Sequence, residues 1–237
     1  MNQDKLLSSY FFESSEPNGE LVSYAAGYNS KIKTYNHAVK TLNNMGYDVL
    51  AFDYDPAVLQ AGQPQYLLDV VDRAVEQVKD KSKDYQETVS MGVSLGGFIG
   101  YNVLKRIGSS SVGAFADCGV DFVPAIFNSG TLDDVAKAYQ NNGYDQASLN
   151  RIWEPLDVEP SKATFPKDKS FIVFDGTRDK LIDFNEAKQN IEDWAAKGIN
   201  VKQYPLKGLG HLLTGAYFVR HTKKIIGMAK EFHAQIG

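Results

Sequence analysis

Apolar and polar positions recur with two different periods along the chain, and these periods predict strands and helices that follow one another. Apolar runs of strand length cover residues 7–12, 20–26, 49–54, 88–93, 112–118, 170–174 and 201–206. Apolar residues at helical spacing cover residues 31–45, 66–78, 95–107, 183–197 and 214–236. Strands that alternate with helices over short connections predict an α/β fold with a mostly parallel, doubly wound sheet.

The first two predicted strands flank a strong turn signal. The segment between them contains Pro17, Asn18 and Gly19 in succession, three residue types that favour tight turns. Two strands joined across such a turn usually pair with each other. We therefore predict that the chain opens with a β-hairpin.

The alternation stops between about residues 120 and 169, where no strong strand is found. Two short helices are predicted there, at residues 131–140 and 146–153, and three prolines punctuate the rest. Long insertions in compact domains are often lids, although a plain surface excursion has the same pattern. We predict a single domain over residues 1–237, in which residues 121–169 form a small helical cap.

Composition and charge narrow the class of protein. The net charge of −4 and the scattered basic residues argue against nucleic-acid binding. No apolar run approaches the length of a membrane helix, and the N-terminal residues lack the apolar region of a signal peptide. Cys118 is the only cysteine, which excludes an intrachain disulfide and a cysteine-based zinc site. A cytoplasmic location is expected, with Cys118 as a buried, unreactive thiol.

The pattern with the clearest chemistry lies between the fourth strand and the helix after it. Residues 92–96 read Gly-Val-Ser-Leu-Gly, which is the nucleophile-elbow pattern of serine hydrolases. The turn lifts Ser94 above the sheet edge, and side chains in place of the glycines would obstruct the contact between strand and helix. Gly97 adds a third small residue at the same place. The motif predicts Ser94 as a nucleophile.

A serine nucleophile needs a base, because its hydroxyl is too weakly acidic to attack at neutral pH. Three of the four histidines, His37, His221 and His233, lie within predicted helices. His211 instead follows the last strand, in the glycine-rich loop 208–211, where a flexible turn can direct an imidazole to the sheet edge. His211 is therefore the predicted base.

The base in turn needs a carboxylate that holds its tautomer and stabilises the imidazolium. Asp179 is the preferred candidate, in the loop 175–179 after the sixth predicted strand, and Asp175 is the rival in the same loop. The order along the chain is then Ser94, Asp179, His211. It matches the serine–acid–histidine order of α/β-hydrolases.

With these residues in place, the sequence resembles the α/β-hydrolase superfamily over nearly its whole length, from residue 20 onward. The family places the acid in a G-x-x-D loop, matched at residues 176–179, and the histidine in a G-H loop, matched at residues 210–211. A rarer family position for the acid corresponds to Asp117 or Asp121. The resemblance implies an α/β-hydrolase fold and a serine esterase or lipase-like activity, without assigning a subfamily.

The oxyanion hole implied by this resemblance consists of two backbone N–H groups. One is that of Leu95, at a helix N-terminus, and the other is that of Tyr28, with Asn29 as the alternative. The family's usual histidine in this loop is replaced by Ala26. The loop 53–57 also departs from the family pattern at a place that often shapes the substrate pocket.

These assignments together imply hydrolysis of a small or medium carboxylic ester through an acyl-enzyme on Ser94. No metal ion or organic cofactor is required, and the expected partner is a small-molecule acyl ester rather than a nucleic acid or a membrane. The aromatic residues of the insertion, Phe122, Phe127, Tyr139 and Trp153, either line an acyl pocket or form the insertion's own core, and we favour the second interpretation.

Other functions use the same scaffold. A non-catalytic ligand- or partner-binding protein is one alternative, because fold does not fix function. A thioesterase, an acyltransferase or a carbon–carbon hydrolase with the same triad is another. The sequence indicates no oligomeric state.

Overall fold

One seven-stranded sheet forms the centre of the molecule. The computed structural model describes residues 6–108, 111–118, 122–156 and 164–236. Its strands are β1 (Leu7–Phe12), β2 (Glu20–Ala25), β3 (Asp48–Tyr54), β4 (Glu87–Val93), β5 (Ser111–Ala116), β6 (Ser170–Gly176) and β7 (Asn200–Leu206). Their order is β1-β3-β2-β4-β5-β6-β7, and neighbouring strands are parallel except for β1 and β3. The predicted fold class is confirmed.

Helices cover both faces of this sheet. Those in the described residues are α1 (Asn36–Asn44), α2 (Ala57–Gln60), α3 (Pro64–Lys81), α4 (Leu95–Arg106), α5 (Phe122–Asn128), α6 (Asp133–Asn141), α7 (Gln146–Ile152), α8 (Phe184–Ala196), α9 (His211–Arg220) and α10 (Thr222–Ala234). Helices α1, α9 and α10 share a core with one face, and α3, α4 and α8 pack on the other. None of the described helices is both long and apolar enough to cross a bilayer.

The central strands are buried on both sides, which explains their nearly continuous apolar sequences. In β2, Val22 and Tyr24 point to the core shared with α1 and α10. Leu21 and Ala25 point to the core shared with α3 and α4. The alternation follows from the two-residue period of a strand.

The predicted N-terminal hairpin is wrong, although both of its strands exist. β1 pairs antiparallel with β3 instead of β2, and β2 lies between β3 and β4. The turn residue Asn18 donates its backbone N–H to the carbonyl of Gly46, so the connection packs against the turn before β3. A strand as buried as β2 requires partners on both edges, whereas the largely exposed β1 suits the outer edge of the sheet.

The single C-terminal helix predicted for residues 214–236 is in fact two helices, and the first begins earlier. α9 starts at His211 and α10 starts at Thr222, with His221 in a non-helical conformation between them. The Thr222 hydroxyl donates to the carbonyls of Phe218 and Val219. Side-chain hydrogen bonds of this kind compete with the helical ladder and bend or interrupt a helix.

The segment between β5 and β6 contains α5, α6 and α7, and residues 119–121 and 157–163 of it lie outside the described residues. Its aromatic side chains pack on one another and on α4: the rings of Trp153 and Tyr139 pack edge to face with centroids 5.6 Å apart, and Phe122 stacks on Phe98 of α4 at 5.2 Å. The indole of Trp153 donates to the carbonyl of Pro64 at 2.8 Å. The insertion therefore continues the core formed with α3 and α4.

Candidate active site

Ser94 occupies a strained turn between β4 and α4. Its backbone lies at φ 56° and ψ −128°, a combination that non-glycine residues rarely adopt. Strain of this kind persists only where the surrounding structure imposes it. The turn places Ser94 as the residue immediately before α4, at the carboxyl edge of the parallel strands.

The glycines around Ser94 allow this turn because three backbone segments meet there. A Cβ on Gly92 would lie 2.2 Å from the carbonyl oxygen of Gly96, and one on Gly96 would lie 2.2 Å from that of Ala25. A Cβ on Gly97 would lie 2.7 Å from the Cβ of Cys118. No side chain fits at these distances, so the close approach of α4 to the sheet requires glycine.

The structure brings together the three residues predicted as nucleophile, base and acid. His211 Nδ1 lies 2.7 Å from Asp179 Oδ2, and His211 Nε2 lies 2.9 Å from Ser94 Oγ. A carboxylate only accepts hydrogen bonds, so Nδ1 carries the imidazole proton and Nε2 accepts from the serine hydroxyl. The arrangement lets His211 remove the proton of Ser94.

The position of His211 in the fold differs from the prediction in one respect. It is the first residue of α9, with Gly210 as the N-cap, rather than part of a flexible loop. A Cβ on Gly176 would lie 2.6 Å from the carbonyl oxygen of Leu209, so the segment before α9 packs tightly on the end of β6. The imidazole is therefore held by packed backbone.

Asp179 is fixed by backbone donors as well as by the imidazole. Its Oδ1 accepts from the N–H groups of Leu181 at 2.8 Å and Ile182 at 3.1 Å. Burial acts to raise the pKa of Asp179, but the hydrogen bond and charge of His211 and these two N–H groups outweigh it, and the pKa is lowered. The side chain is suited to remain a carboxylate.

The loops that carry the acid and the base are joined to each other. The N–H of Arg178 donates to the carbonyl of Leu209 at 2.8 Å, and the N–H of Gly208 donates to the hydroxyl of Thr177 at 2.8 Å. These bonds fix the distance between two segments that are far apart along the chain.

The rival acid Asp175 makes a different hydrogen bond. Its Oδ2 accepts from the Gln203 side chain at 2.7 Å. Burial, offset in part by that bond and reinforced by the charge of Asp179, raises the pKa of Asp175 to about 6. The other alternative, Asp121, lies outside the described residues.

Asp117 is a second carboxyl group near the imidazole. Its Oδ1 accepts from the N–H of Gly176, and its Oδ2 lies 3.7 Å from His211 Nδ1. Burial and the nearby charges of Asp179 and Asp175 raise the pKa of Asp117 well above its ordinary value, which favours the neutral carboxyl. Potential metal-ligand atoms of Asp117, Asp179 and His211 lie within 4.8 Å of one another.

The predicted oxyanion donors, Leu95 and Tyr28, both border Ser94 in one small apolar cavity. Within the described part of the chain, neither backbone N–H donates a hydrogen bond. Asn29, the alternative donor, has φ 57° in a turn closed by a bond from the N–H of Ser30 to the carbonyl of Gly27. A positive φ at this position suits asparagine.

Two tyrosines that the sequence interpretation did not single out hold this loop. The N–H of Gly27 donates to the Tyr35 hydroxyl at 2.9 Å, and the Tyr54 hydroxyl donates to the carbonyl of Ala26 at 2.6 Å. Asp53 in turn accepts from the N–H of Ile32 and fixes the turn that carries Tyr35. Tyr54 and Asp53 lie in the segment 53–57, where the sequence departs from the pattern of α/β-hydrolases, and this departure is the sequence signal for the region.

Two cavities open at Ser94. The larger, of about 550 Å³, extends between α9 and the segment before α1, and His211 and Val93 also line it. The smaller, of about 30 Å³, is walled by Leu95 and by residues of the insertion, Phe122, Ala125 and Leu132. Part of the insertion thus forms one wall beside the serine.

Solved structures with a similar fold include esterases and a lipase. An esterase from Thermogutta terrifontis with bound propionate aligns over 98% of this chain and 90% of its own, at 16% identity and TM-score 0.66. A carboxyl esterase from Bacillus coagulans in complex with glycerol aligns over 98% and 94%, at 12% identity and TM-score 0.65. A lipase in an open form aligns over 94% and 96%, at 15% identity and TM-score 0.63. The chain has the α/β-hydrolase fold.

The sequence itself gives no closer relative. No protein-family model matches it, and no curated protein matches it. At the identities above, the likeness to solved structures establishes the fold, and the activity has to be argued from the site.

Proposed function

We propose that this protein is a serine hydrolase that cleaves small or medium carboxylic esters through an acyl-enzyme on Ser94. The observation that carries the proposal is the chain of two hydrogen bonds from Ser94 through His211 to Asp179, built on a strained turn. A nucleophile within reach of a base that a third group orients is the arrangement that covalent acyl transfer requires.

The reaction would proceed in two steps. Ser94 attacks the ester carbonyl while His211 takes its proton, and Asp179 stabilises the imidazolium. The N–H groups of Tyr28 and Leu95 stabilise the negative oxygen of the tetrahedral intermediate. His211 then protonates the leaving alcohol and activates a water molecule, which releases the acid. The reaction as proposed uses only groups of this chain and water.

The space around the serine supports a substrate of modest size. The 30 Å³ cavity beside Leu95 accommodates little more than a small group, whereas the 550 Å³ cavity accommodates the larger part of an ester. The related Thermogutta esterase has been solved with propionate, and also phosphoramylated by tabun. Propionate is a carboxylic acid, the kind of product that ester hydrolysis releases, and a phosphoramylated enzyme contains a reactive nucleophile.

The test is hydrolysis of p-nitrophenyl esters from acetate to palmitate by the wild type and by Ser94→Ala. We expect turnover by the wild type, with an optimum at short or medium chains, and none above background by the variant. A fluorophosphonate probe should label the wild type alone. If no ester is hydrolysed and Ser94 does not react with the probe, the protein is not an esterase and a binding role is favoured.

The acid is tested in the same assay by comparing Asp179 with Asp175, which lies four residues earlier in β6. Asp179→Asn removes the charge that supports the imidazolium, and losses of about 10⁴ in kcat accompany this change in a serine protease. Asp175→Asn is the matched control, because Asp175 bonds to Gln203 instead of His211. An equal loss in both variants would contradict the assignment of Asp179.

A further inference from the structure

The larger cavity follows one face of α9 from the proposed base to the other end of the helix. The α9 residues that line it are His211, Leu212, Gly215, Ala216, Val219 and Arg220. Their spacing is that of a single helix face. At 1.5 Å per residue, the nine steps from His211 to Arg220 span about 13 Å. The cavity is therefore elongated, with Ser94 near one end and Arg220 at the other.

Charge is distributed unevenly along this cavity. Arg220, at the end of α9 away from His211, and His37 are basic residues that line it. No aspartate or glutamate is among the described residues that line it, although the chain as a whole has a net charge of −4. The cavity thus favours an anion over a cation at the end remote from the reaction.

Arg220 is available to bind such an anion. It is exposed, and among the described residues no carboxylate forms an ion pair with it. The hydroxyl groups of Ser30 and Thr34 belong to the wall opposite α9. A guanidinium donates two parallel hydrogen bonds to a carboxylate, a geometry that lysine does not offer.

We propose that the preferred substrates are half-esters of linear dicarboxylic acids, whose free carboxylate binds Arg220 while the ester group at the other end reaches Ser94. The inference rests on the ester hydrolysis proposed above. Hydrolysis consumes one water, breaks the bond between the acyl carbon and the alcohol oxygen, and releases the alcohol and the dicarboxylic acid. From the span of the cavity, acids of about six to ten carbons fit this arrangement.

The experiment compares mono-p-nitrophenyl esters of succinic, adipic, suberic and sebacic acids with the methyl-terminated p-nitrophenyl esters of equal length. We expect the ratio of kcat/KM, half-ester over neutral ester, to be highest for the longer members. In Arg220→Gln this ratio should fall by about tenfold, the usual scale for loss of a charge-assisted hydrogen bond. Arg220→Lys should restore part of it.

The matched control is Lys224→Gln, an exposed cation on the neighbouring helix α10 that does not line the cavity. It should leave the ratio unchanged, which separates a local contact from general attraction by a positive surface. A second measurement avoids turnover: calorimetry of monomethyl suberate with Ser94→Ala. Its affinity should fall about tenfold when Arg220→Gln is added and stay constant when Lys224→Gln is added.

The outcomes separate this inference from the proposed function. If neutral esters are hydrolysed through Ser94 but half-esters are favoured at no length, the carboxylate site is refuted and the esterase proposal stands. An unchanged ratio in Arg220→Gln refutes the site in the same way. If neither series is hydrolysed, the esterase proposal itself fails and the inference fails with it.

Discussion

At the scale of single residues, Asp117 shows how a buried carboxyl group can differ in charge from a neighbour of the same type. Asp179 accepts two backbone N–H groups and the imidazole, which favours its ionised form. Asp117 accepts one backbone N–H and faces Asp179, and its Oδ2 has no hydrogen-bond partner among the described residues. One extra proton on Asp117 relieves the repulsion between the two carboxyl groups.

The pKa of Asp117, which burial and nearby charges raise, leads to a prediction for stability. An acid whose pKa is higher in the folded state than in the unfolded chain binds more protons when folded, so the free energy of unfolding falls as pH rises from about 4 toward the raised pKa. Asp117→Asn keeps the acceptor for Gly176 and has no proton to lose. The melting temperature of the wild type should therefore fall relative to Asp117→Asn between about pH 5 and pH 9.

The control for this experiment is Asp80→Asn, a fully exposed aspartate paired with Lys83. Its melting temperature should follow that of the wild type across the same range. Scanning calorimetry in matched buffers measures all three proteins. Parallel pH curves for the wild type and Asp117→Asn would show that Asp117 is ionised in the folded protein.

The residue types of the proposed site could be named from the sequence because each follows a predicted strand and has glycines close by. Ser94 and His211 are flanked by glycines that the turn or the packing requires, and the spacing of Asp179 from Gly176 follows the same pattern. Tyr35 and Tyr54 could not be named in this way. The Tyr54 hydroxyl contacts a carbonyl 28 residues earlier in the chain, and the Tyr35 hydroxyl an N–H group 8 residues earlier. No local pattern distinguishes the two from core tyrosines.

At the scale of elements, α4 packs on the end of β2 with no room for a side chain at Gly96. Gly96→Ala would place a methyl carbon 2.2 Å from the carbonyl oxygen of Ala25, well inside van der Waals contact, so α4 or β2 must shift. We expect a loss of about 1–3 kcal/mol in the free energy of unfolding. Esterase activity should fall with it, because the same helix start carries Ser94 and Leu95.

Gly227→Ala is the matched control for this substitution. Gly227 is exposed within α10, and a Cβ there has no atom within 4 Å. Alanine should stabilise that helix by about 0.5–1 kcal/mol, because glycine is a poor residue in a helix interior. Urea denaturation measures both variants, and a Gly96→Ala protein as stable as Gly227→Ala would contradict the close packing of α4 on β2.

Local sequence patterns located most elements and failed where a neighbour in space decided the outcome. The strand at residues 7–12 was predicted correctly, but its partner is β3, because β2 already has two neighbours. The predicted C-terminal helix is divided at His221, where Thr222 bonds back to α9. The short helices α2 and α5 were not predicted, because four and seven residues carry too little periodicity.

At the scale of the whole molecule, the question is whether residues 121–169 unfold with the sheet. If the chain is one domain, residues 121–169 unfold together with the sheet. The core that Trp153 shares with α3 and α4 favours this outcome. The chain has two tryptophans, Trp153 in the insertion and Trp194 in α8. Each variant with one of them replaced by phenylalanine therefore reports on a different part of the molecule.

We expect one cooperative transition in both variants. In Trp194→Phe the remaining fluorescence comes from the insertion, and its urea transition should coincide with that of the far-ultraviolet circular dichroism. Trp153→Phe is the matched variant that reports on α8 and should also give coincident transitions. Fluorescence in Trp194→Phe that changes at lower urea than the circular dichroism would show that the insertion opens separately.

The alternation of strands and helices, the parallel character of the sheet and the residue types of the proposed site follow from the sequence, because periodicity and glycine placement are local properties. The strand beside β1, the way Tyr35 and Tyr54 hold the loop after β2, and the places of Asp117 beside His211 and of Arg220 in the larger cavity follow only from the tertiary structure. Those outcomes depend on contacts between distant segments, and the charge of Asp117 depends on burial that only such contacts create.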